Sequence, residues 1–403
     1  MNSLQAMSLV YELYFKKGLP DLNKIEGYGL LAVKIGQIHA LRLDFLSPEK
    51  CQHLSRLYRS NSPILTENVS ELLRRNGGYG YEKNFSRIEG HPLAVASVGQ
   101  VYQAQLTSGD NVVIKLIKSK FKDRFVRDVA KLRKFFSLVM RLNPKLRNVG
   151  NPAGILDDIE EYTIAELDLR REEEGLSVLK KIRDNYQSDF DLSMLGFQKI
   201  YSDLTNENVL VSEFLPAPTV DELLSLGKFS YSDMLKLFYV QGFYMFIAGK
   251  FHGDLHPGNV LYDGQKFYFV DMSFIGEVGD RIRRGLFNFF ESLSLYDFRS
   301  CAKYLNEMAE QGIGGADYDV FSEKFIHLYR DFPGKTVSEV SLTKQMMLTI
   351  KLGVNSGMIF EKGIFAIIRS LMYLDGMVLK CNPRAVLMED MRQFIDSYKK
   401  LIR

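Results

Sequence analysis

The sequence has little cysteine, no long apolar run and almost no net charge, and each lack excludes a class of protein. Its three cysteines, Cys51, Cys301 and Cys381, lie far apart, which excludes a disulfide framework and a cysteine zinc site. The longest apolar stretches, such as residues 237–248, are shorter than the roughly 20 residues that cross a bilayer. No basic-then-apolar leader opens the chain. We expect a globular protein of a reducing compartment, cytoplasmic or peripheral at a membrane, without signal peptide or transmembrane helix.

The 403 residues, 46% of them apolar, are enough for two or three domain-sized units with substantial cores. The net charge is only +3, but residues 118–147 hold eleven Lys or Arg against two Asp. Apolar residues recur there at helical spacing, namely Phe121, Phe125, Val129, Leu132, Phe136 and Met140. Such a helix either packs its apolar face on the core or lies on an anionic membrane surface. Nucleic-acid binding is disfavoured, because no nucleic-acid motif surrounds the basic run.

The segment from His252 to Asp271 is the most informative part of the chain. Asp254 lies five residues before Asn259, and Asp271 ends an apolar run. Two short apolar runs flank Asp263-Gly264, which predicts a hairpin that brings Asn259 and Asp271 together. Two oxygen ligands suit Mg²⁺, which takes further oxygens from phosphate and water. In protein kinases this spacing orients the acceptor and holds Mg²⁺ against the ATP phosphates. The alternative is that this segment is only a polar turn. We expect His252 to have a structural role and to hold the loop in place.

A second group of candidates precedes this loop. The sequence predicts strands over residues 92–105 and 111–117, and Lys115 lies inside the second among apolar neighbours. In kinases such a lysine contacts the α- and β-phosphates and is steadied by a helix glutamate. The alternative is a lysine that only reaches solvent. The loop over residues 94–100 stands where a glycine-rich loop would cover the nucleotide, but it contains alanines.

A long helix predicted over residues 153–183 supplies candidates for the glutamate. It carries Glu166, Asp168 and Glu172, of which the last two are four positions apart and are expected on one helix face. Acidic runs on helices are usually solvated, so position alone does not select one of them. Beyond the helix, residues 209–215 predict the last strand of a small lobe, and Glu213 would lie beside an adenine ring.

Taken together, these motifs resemble the UbiB or AarF-like (ADCK-type) atypical protein-kinase-like family. The resemblance covers about residues 27–395, and the motifs stand in the family's order: Lys34-Ile-Gly-Gln37, Leu46-Ser-Pro-Glu49, residues 92–100, Lys115, Glu166 with Asp168 and Glu172, residues 252–259, and Asp271. It implies an α+β, two-lobed protein-kinase-like fold with a helical N-terminal extension that carries the KxGQ motif. We expect the extension over residues 1–61, the small lobe over 62–211 and a mostly helical large lobe over 212–403.

The resemblance also implies site residues. The extension would cover the site, with Glu166 or Asp168 engaging it through Lys34, while Glu172 pairs with Lys115. The implied catalytic residues are Asp254, Lys115 and Glu172, and the implied metal ligands are Asn259 and Asp271. The implied nucleotide-binding residues are Ala94, Ala96, Ser97, Val98, Gly99, Gln100, Lys115, Glu213, Lys34 and Gln37.

The implied activity is a Mg²⁺- and ATP-dependent atypical kinase or ATPase that supports ubiquinone or other isoprenoid-lipid metabolism at a membrane surface. Asp254 would position a water or an acceptor hydroxyl. An isoprenoid lipid or an anionic membrane, bound through residues 118–147, is the expected partner, and protein partners stay open. Asp271-Met-Ser273 replaces the usual Asp-Phe-Gly, so we expect the inactivating backbone flip of some kinases to be less accessible.

Two other functions stay open at this point. The loop from His252 to Asn259 is also the signature of aminoglycoside and choline phosphotransferases, which lack counterparts of residues 34–37 and 94–100. A nucleotide-gated lipid-binding scaffold without turnover would present the same nucleotide ligands. Measured γ-phosphate release separates such a scaffold from an enzyme.

Overall fold

The computed structural model describes residues 1–40, 46–59, 69–95, 99–117, 121–142, 152–361 and 363–402. The α-helices of this part are α1 (Ser3–Val10), α2 (Leu22–Gly27), α3 (Leu30–His39), α4 (Pro48–Leu54), α5 (Val69–Gly77), α6 (Phe121–Leu142), α7 (Pro152–Glu166), α8 (Arg170–Tyr186), α9 (Val220–Ser225), α10 (Tyr231–Gly242), α11 (Asp280–Ser294), α12 (Phe298–Met308), α13 (Gly315–Leu328), α14 (Leu342–Asn355), α15 (Gly363–Cys381), α16 (Leu387–Asp390) and α17 (Arg392–Ile402). The strands are β1 (Phe85–Ile88), β2 (Ala94–Val95), β3 (Gly99–Leu106), β4 (Asn111–Ile117), β5 (Leu195–Gly196), β6 (Val209–Glu213), β7 (Lys250–His252), β8 (Val260–Tyr262), β9 (Phe267–Phe269) and β10 (Ile275–Glu277). Two π-helical segments, Tyr11–Phe15 and Phe243–Ala248, follow α1 and α10.

The chain folds into two compact units. The first comprises residues 1–174 and 198–215, and the second comprises residues 175–197 and 216–403. The expected N-terminal extension therefore belongs to the same unit as the sheet that carries Lys115. The division into extension, small lobe and large lobe at residues 61 and 211 stays a prediction.

The first unit is built around an antiparallel sheet of order β1-β3-β4-β6, with β2 paired to β3. Alternation along β4 buries Val112, Ile114 and Leu116 in a cluster with residues of α5 and β3. Side chains of successive strand residues point to opposite faces of a sheet. Lys115 is therefore on the other face of β4 from this cluster.

The single strand predicted over residues 92–105 is wrong, because the chain reverses direction inside it. Ala94 pairs antiparallel with Val101, so β2 and β3 are two separate strands; residues 96–98 lie outside the described residues. A Cβ on Gly99 would come 2.8 Å from the carbonyl oxygen of Leu116, so this close approach of β3 to β4 requires glycine.

The single helix predicted over residues 153–183 is also wrong, because it is interrupted between α7 and α8. Leu167 and Leu169 in the interruption are 1% and 0% exposed, and both pack in one cluster with Ile117 and Leu210. Residues two apart lie about 200° around an α-helix. A continuous helix could not turn both leucines toward that cluster, so burial of the pair favours the break.

Asp168 lies inside this break and acts as a local cap. Its Oδ1 accepts the Arg170 backbone N–H at 3.2 Å, and both carboxylate oxygens accept from the Arg170 guanidinium. These Arg170 contacts lower the pKa of Asp168. Asp168 precedes α8, so the expectation that Asp168 and Glu172 share a helix face is wrong.

The described part of the basic segment forms α6. Its Phe125, Val129 and Leu132 are buried, so the apolar face packs inward, as the first of the two sequence interpretations predicts. The basic side chains on the outer side are exposed, namely Lys122, Arg124, Arg127, Lys131 and Lys134. Residues 118–120 and 143–147 lie outside the described residues.

The second unit is mostly helical. Strand β7 precedes the loop that carries Asp254, and strand β8 follows it. The predicted hairpin is confirmed: Val260 pairs with Phe269 and Tyr262 with Phe267, and Gly264 in the turn has φ of 96°. Helices α11 to α17 fill the C-terminal part, as expected for a mostly helical large lobe. Within the described ranges, no helix combines the length and apolarity needed to cross a bilayer.

Candidate active site

In the first unit, Lys115 of β4 and Glu172 of α8 form a buried ion pair. Their side chains are 10% and 5% exposed. The two residues are 57 positions apart, and their pairing is the one that the family resemblance implies. A buried ammonium group needs a counter-ion, because desolvating an isolated charge costs several kcal/mol. The pair therefore fixes the position of the Lys115 ammonium group, which extends from an otherwise apolar strand.

A second buried pair joins α3 to α7. Lys34 Nζ donates to Glu166 Oε1 at 2.7 Å, over a separation of 132 positions. The side chains are 7% and 10% exposed. Of the two acids that the sequence offers for this contact, Glu166 makes it, whereas Asp168 engages Arg170.

The rest of the Lys-x-Gly-Gln motif holds the turn that follows α4. Gln37 Nε2 donates to the Leu57 carbonyl oxygen at 3.0 Å, and Gln37 is buried. A Cβ on Gly36 would come 2.4 Å from Leu57 Cδ1, so glycine permits the close approach of α3 to this turn. The motif therefore has a structural use inside the first unit, and the nucleotide roles of Lys34 and Gln37 stay predictions.

The remaining expected nucleotide contacts are distributed over β2, β3 and β6. Ala94 is exposed, whereas Gln100 is buried and its Oε1 accepts the Tyr102 hydroxyl at 2.6 Å. Glu213 is exposed, and its Oε2 accepts the Lys199 backbone N–H at 3.1 Å. Three further candidates lie outside the described residues: Ala96, Ser97 and Val98.

In the second unit, the loop after β7 places Asp254 and Asn259 together. Asn259 Nδ2 donates to the Asp254 carbonyl oxygen at 3.1 Å. The Val270 backbone N–H donates to the Asn259 carbonyl oxygen at 3.0 Å, which ties the loop to the end of β9. Because the amide nitrogen of Asn259 is used in this way, its Oδ1 is the atom suited to a cation.

Asp271 follows β9 with a backbone conformation that is unusual for a residue other than glycine. Its φ is 58°, in the left-handed region, which costs roughly 1–2 kcal/mol in an L-residue. Its Oδ1 accepts the Ser273 hydroxyl at 3.3 Å, and Met272 is buried. A Cβ on Gly175 would come 2.1 Å from the Met272 carbonyl oxygen, so glycine in α8 leaves room for this turn. Strain of this kind concentrates at functional sites.

The positive φ falls on the first residue of Asp271-Met-Ser273 and not on the third. Ser273, which stands where kinases have glycine, is therefore unstrained in this conformation. Its hydroxyl instead contacts the carboxylate of Asp271. The expectation that serine hinders a backbone flip stays a prediction.

His252 braces the loop from inside the core. It is 0% exposed; its Nδ1 accepts the Asp254 backbone N–H at 3.1 Å, and its Nε2 lies 2.9 Å from the Val270 carbonyl oxygen. An imidazole that accepts at Nδ1 carries its proton at Nε2, so Nε2 donates to Val270. Burial lowers the pKa of His252, which keeps the ring neutral.

This buried histidine predicts a loss of stability in acid. An unfolded histidine binds a proton below about pH 6.5, whereas folded His252 does not until a lower pH. The free energy of unfolding should therefore fall below about pH 6.5, by up to about 1.4 kcal/mol per pH unit, until the folded pKa is reached. Urea unfolding between pH 7.5 and 5 measures the slope. We expect His252→Asn to reduce this slope; equal slopes in the variant and the wild-type chain would contradict the role of His252.

The chemistry of these donors fits Mg²⁺ that arrives with a phosphate ligand. Across the described part of the chain, no group of three or more His, Cys, Asp or Glu side chains could hold a metal ion. Asn259 and Asp271 offer one amide and one carboxylate, which are hard oxygen ligands. Two protein ligands suit Mg²⁺, because it retains several waters and shares substrate phosphates.

Sequence reasoning missed two residues that hold the loop. Tyr373 of α15 donates its hydroxyl to Asp254 Oδ1 at 3.0 Å, across 119 positions. Gln241 of α10 is fully buried, and its Nε2 donates to the His252 carbonyl oxygen at 3.1 Å. No local pattern in the sequence indicates either contact.

A domain family and several known proteins match this chain. The ABC1 atypical kinase-like domain matches residues 56–305. The chain is 24% identical over 392 residues to a probable protein kinase UbiB of Glaesserella parasuis, covering 93% of this chain and 69% of that protein. It is 29% identical over 295 residues to a probable protein kinase UbiB of Pseudomonas putida, covering 69% and 52%. A chloroplastic Arabidopsis thaliana protein named ACTIVITY OF BC1 COMPLEX KINASE 8 is 27% identical over 295 residues, covering 70% and 36%.

A solved structure supports the fold as a whole. The Mycobacterium tuberculosis protein Rv3197, determined in complex with erythromycin, aligns with a TM-score of 0.53 and 17% identity, covering 95% of this chain and 92% of that chain. At this identity the likeness concerns the fold alone. The family is shown by the domain match over residues 56–305: the chain belongs to the ABC1 atypical kinase-like family.

Proposed function

We propose that this chain binds Mg-ATP and transfers its γ-phosphoryl group to water or to a small acceptor. The observation that carries the proposal is the joint arrangement of Asp254, Asn259 and Asp271. Asn259 is oriented by the backbone of Asp254, and Asp271 is held in a strained conformation at the end of the adjoining hairpin. A plain polar turn requires neither feature.

Each residue has a role that its contacts support. Lys115, steadied by Glu172, would neutralise charge on the α- and β-phosphates. Asn259 and Asp271 would hold Mg²⁺, which neutralises charge on the phosphates. Asp254 would orient the attacking hydroxyl and accept its proton. Positioning and electrostatics account for most of the rate in such reactions, because phosphoryl transfer asks for little covalent chemistry from the protein.

A turnover assay of the purified chain tests the proposal and separates it from its two rivals. ATP binding is measured by calorimetry with and without Mg²⁺, and γ-phosphate release is measured in the same preparations. Binding that needs Mg²⁺ and is followed by release supports the proposal. Binding without any release favours the nucleotide-gated scaffold, and rapid phosphorylation of aminoglycosides or choline favours the other phosphotransferases.

We further propose that the acceptor or activator is an isoprenoid lipid of the ubiquinone type. The support is the resemblance of the motifs to the UbiB group and the relatives that carry the name UbiB. Phenols with and without an isoprenoid tail, added to the same assay, test this step. If γ-phosphate is released at the same rate with the tailed phenol, with the untailed phenol and with no phenol, the proposed link to isoprenoid lipids is wrong.

The membrane contact that we propose involves α1 as well as α6. Leu4, Met7, Tyr11 and Phe15 are 77%, 56%, 54% and 67% exposed, and their spacing of three and four places them along one side of the helical segment. The opposite side of the same segment is buried, at Ala6, Leu9 and Leu13. An exposed row of large apolar side chains marks an interaction surface. Helix α1 packs beside α6, which exposes basic side chains. An anionic bilayer would bind both surfaces, because its headgroups are negatively charged and its interior is apolar.

Replacing Leu4, Met7, Tyr11 and Phe15 together by serine should weaken binding to anionic vesicles at least tenfold, by roughly 1.5 kcal/mol or more of lost apolar burial. Flotation with phosphatidylcholine vesicles containing phosphatidylglycerol measures the effect. The matched control replaces Leu226 and Leu295, which are 65% and 63% exposed in the second unit. Equal flotation of both variants and the wild-type chain would contradict a role for α1.

A further inference from the structure

Helix α15 approaches the loop that carries Asp254 at two points. The Tyr373 hydroxyl donates to Asp254 Oδ1 at 3.0 Å, and the Tyr373 ring packs edge-on against His256 with 5.9 Å between ring centroids. Ser370, one turn earlier on α15, is fully buried and accepts from Gln241 Nε2 at 2.8 Å. The same Gln241 nitrogen donates to the His252 carbonyl oxygen. The loop is therefore tied to α15 on both sides of Gly253.

The Tyr373 contact acts on the functional atoms of Asp254, whereas the Gln241 contact acts on the backbone. A hydroxyl that donates to a carboxylate forms a charge-assisted hydrogen bond, which is stronger than one between neutral groups. Engaging Oδ1 fixes the rotation of the carboxylate about its Cβ–Cγ bond. The direction in which Oδ2 points is then set by α15 and not by the loop alone.

We propose that Tyr373 is a positioning residue that sets the orientation of the Asp254 carboxylate toward the phosphoryl acceptor. The inference rests on the proposed function, since an orientation matters only if Asp254 acts on an acceptor. It adds a residue from a helix more than one hundred positions beyond the loop. Tyr373 touches neither nucleotide nor metal in this role and acts through Asp254.

Tyr373→Phe is the direct test, because it removes the hydroxyl and keeps the ring against His256. We expect kcat to fall about 10- to 100-fold, as for the loss of one hydrogen bond to a charged group, with KM for Mg-ATP unchanged. The matched control is Tyr231→Phe, since the Tyr231 hydroxyl also donates to an aspartate, at 2.6 Å from Asp390 Oδ2, but on α10. The control should leave both constants unchanged.

A double-mutant cycle separates positioning from general support of the fold. If Tyr373 acts through the Asp254 carboxylate, Tyr373→Phe should cause no further loss in a chain that already carries Asp254→Asn. A purely structural tyrosine would lower the residual rate in both backgrounds and would lower thermal stability in proportion. Additive losses, or an unchanged kcat in the single variant, would overturn the positioning role. A wild-type chain that shows no turnover would instead overturn the proposed function, and the inference with it.

Discussion

Replacing Asp254 by asparagine is expected to reduce turnover roughly 10²–10⁴-fold, while the affinity for Mg-ATP stays within about twofold of the wild-type value. The substitution removes the negative charge and the ability to accept a proton. It keeps the backbone contacts of residue 254 with His252 and Asn259, and an amide oxygen can still accept from Tyr373. The expected loss is therefore confined to the chemical step.

Single-turnover release of γ-phosphate measures this step, and calorimetry with Mg-ATP measures binding. The matched control is Asp263→Asn in the turn of the adjoining hairpin. Asp263 Oδ1 accepts the backbone N–H groups of Gln265 and Lys266, and an asparagine oxygen can accept both. Full turnover in the Asp254 variant would show that another group orients the acceptor, and a parallel loss of binding would point to damage of the loop.

The sequence predicted best the features that depend on short spacings. The hairpin between Asn259 and Asp271 follows from two apolar runs and an Asp-Gly turn, and the structure contains it. The ion pair of Lys115 with Glu172 was accessible because a lysine inside an apolar strand requires a partner, and the family resemblance indicated which one. The strained φ of Asp271 could not be predicted, because an aspartate at that position does not by itself indicate a positive φ.

The failures share one cause, which is tertiary packing that a local pattern does not encode. The break between α7 and α8 exists because Leu167 and Leu169 both enter one cluster with residues of β4 and β6. The strand predicted over residues 92–105 divides into β2 and β3, because Ala94 pairs antiparallel with Val101 across the sheet. Tyr373 was missed because its partner lies 119 positions away, and nothing on α15 marks that residue.

Replacing Lys115 by alanine is expected to have two effects that can be separated. The first is on stability: Glu172 would stay buried without its ammonium partner, and removing one member of a buried pair costs roughly 3–5 kcal/mol. The second is on function: affinity for Mg-ATP should fall roughly 10²-fold, because a charge-assisted contact to the phosphates is lost. Lys122→Ala is the control, since Lys122 pairs with Glu207 at an exposed position where an ion pair contributes about 0–1 kcal/mol.

The double variant Lys115→Ala with Glu172→Ala distinguishes the two effects. Removing both charges relieves the buried carboxylate, so chemical unfolding should show much of the lost stability restored. Nucleotide affinity should not recover, because the cation is still absent. If calorimetry showed wild-type affinity for Mg-ATP in the stabilised double variant, Lys115 would be only a structural partner of Glu172. The phosphates would then have to be neutralised by another cation of the chain.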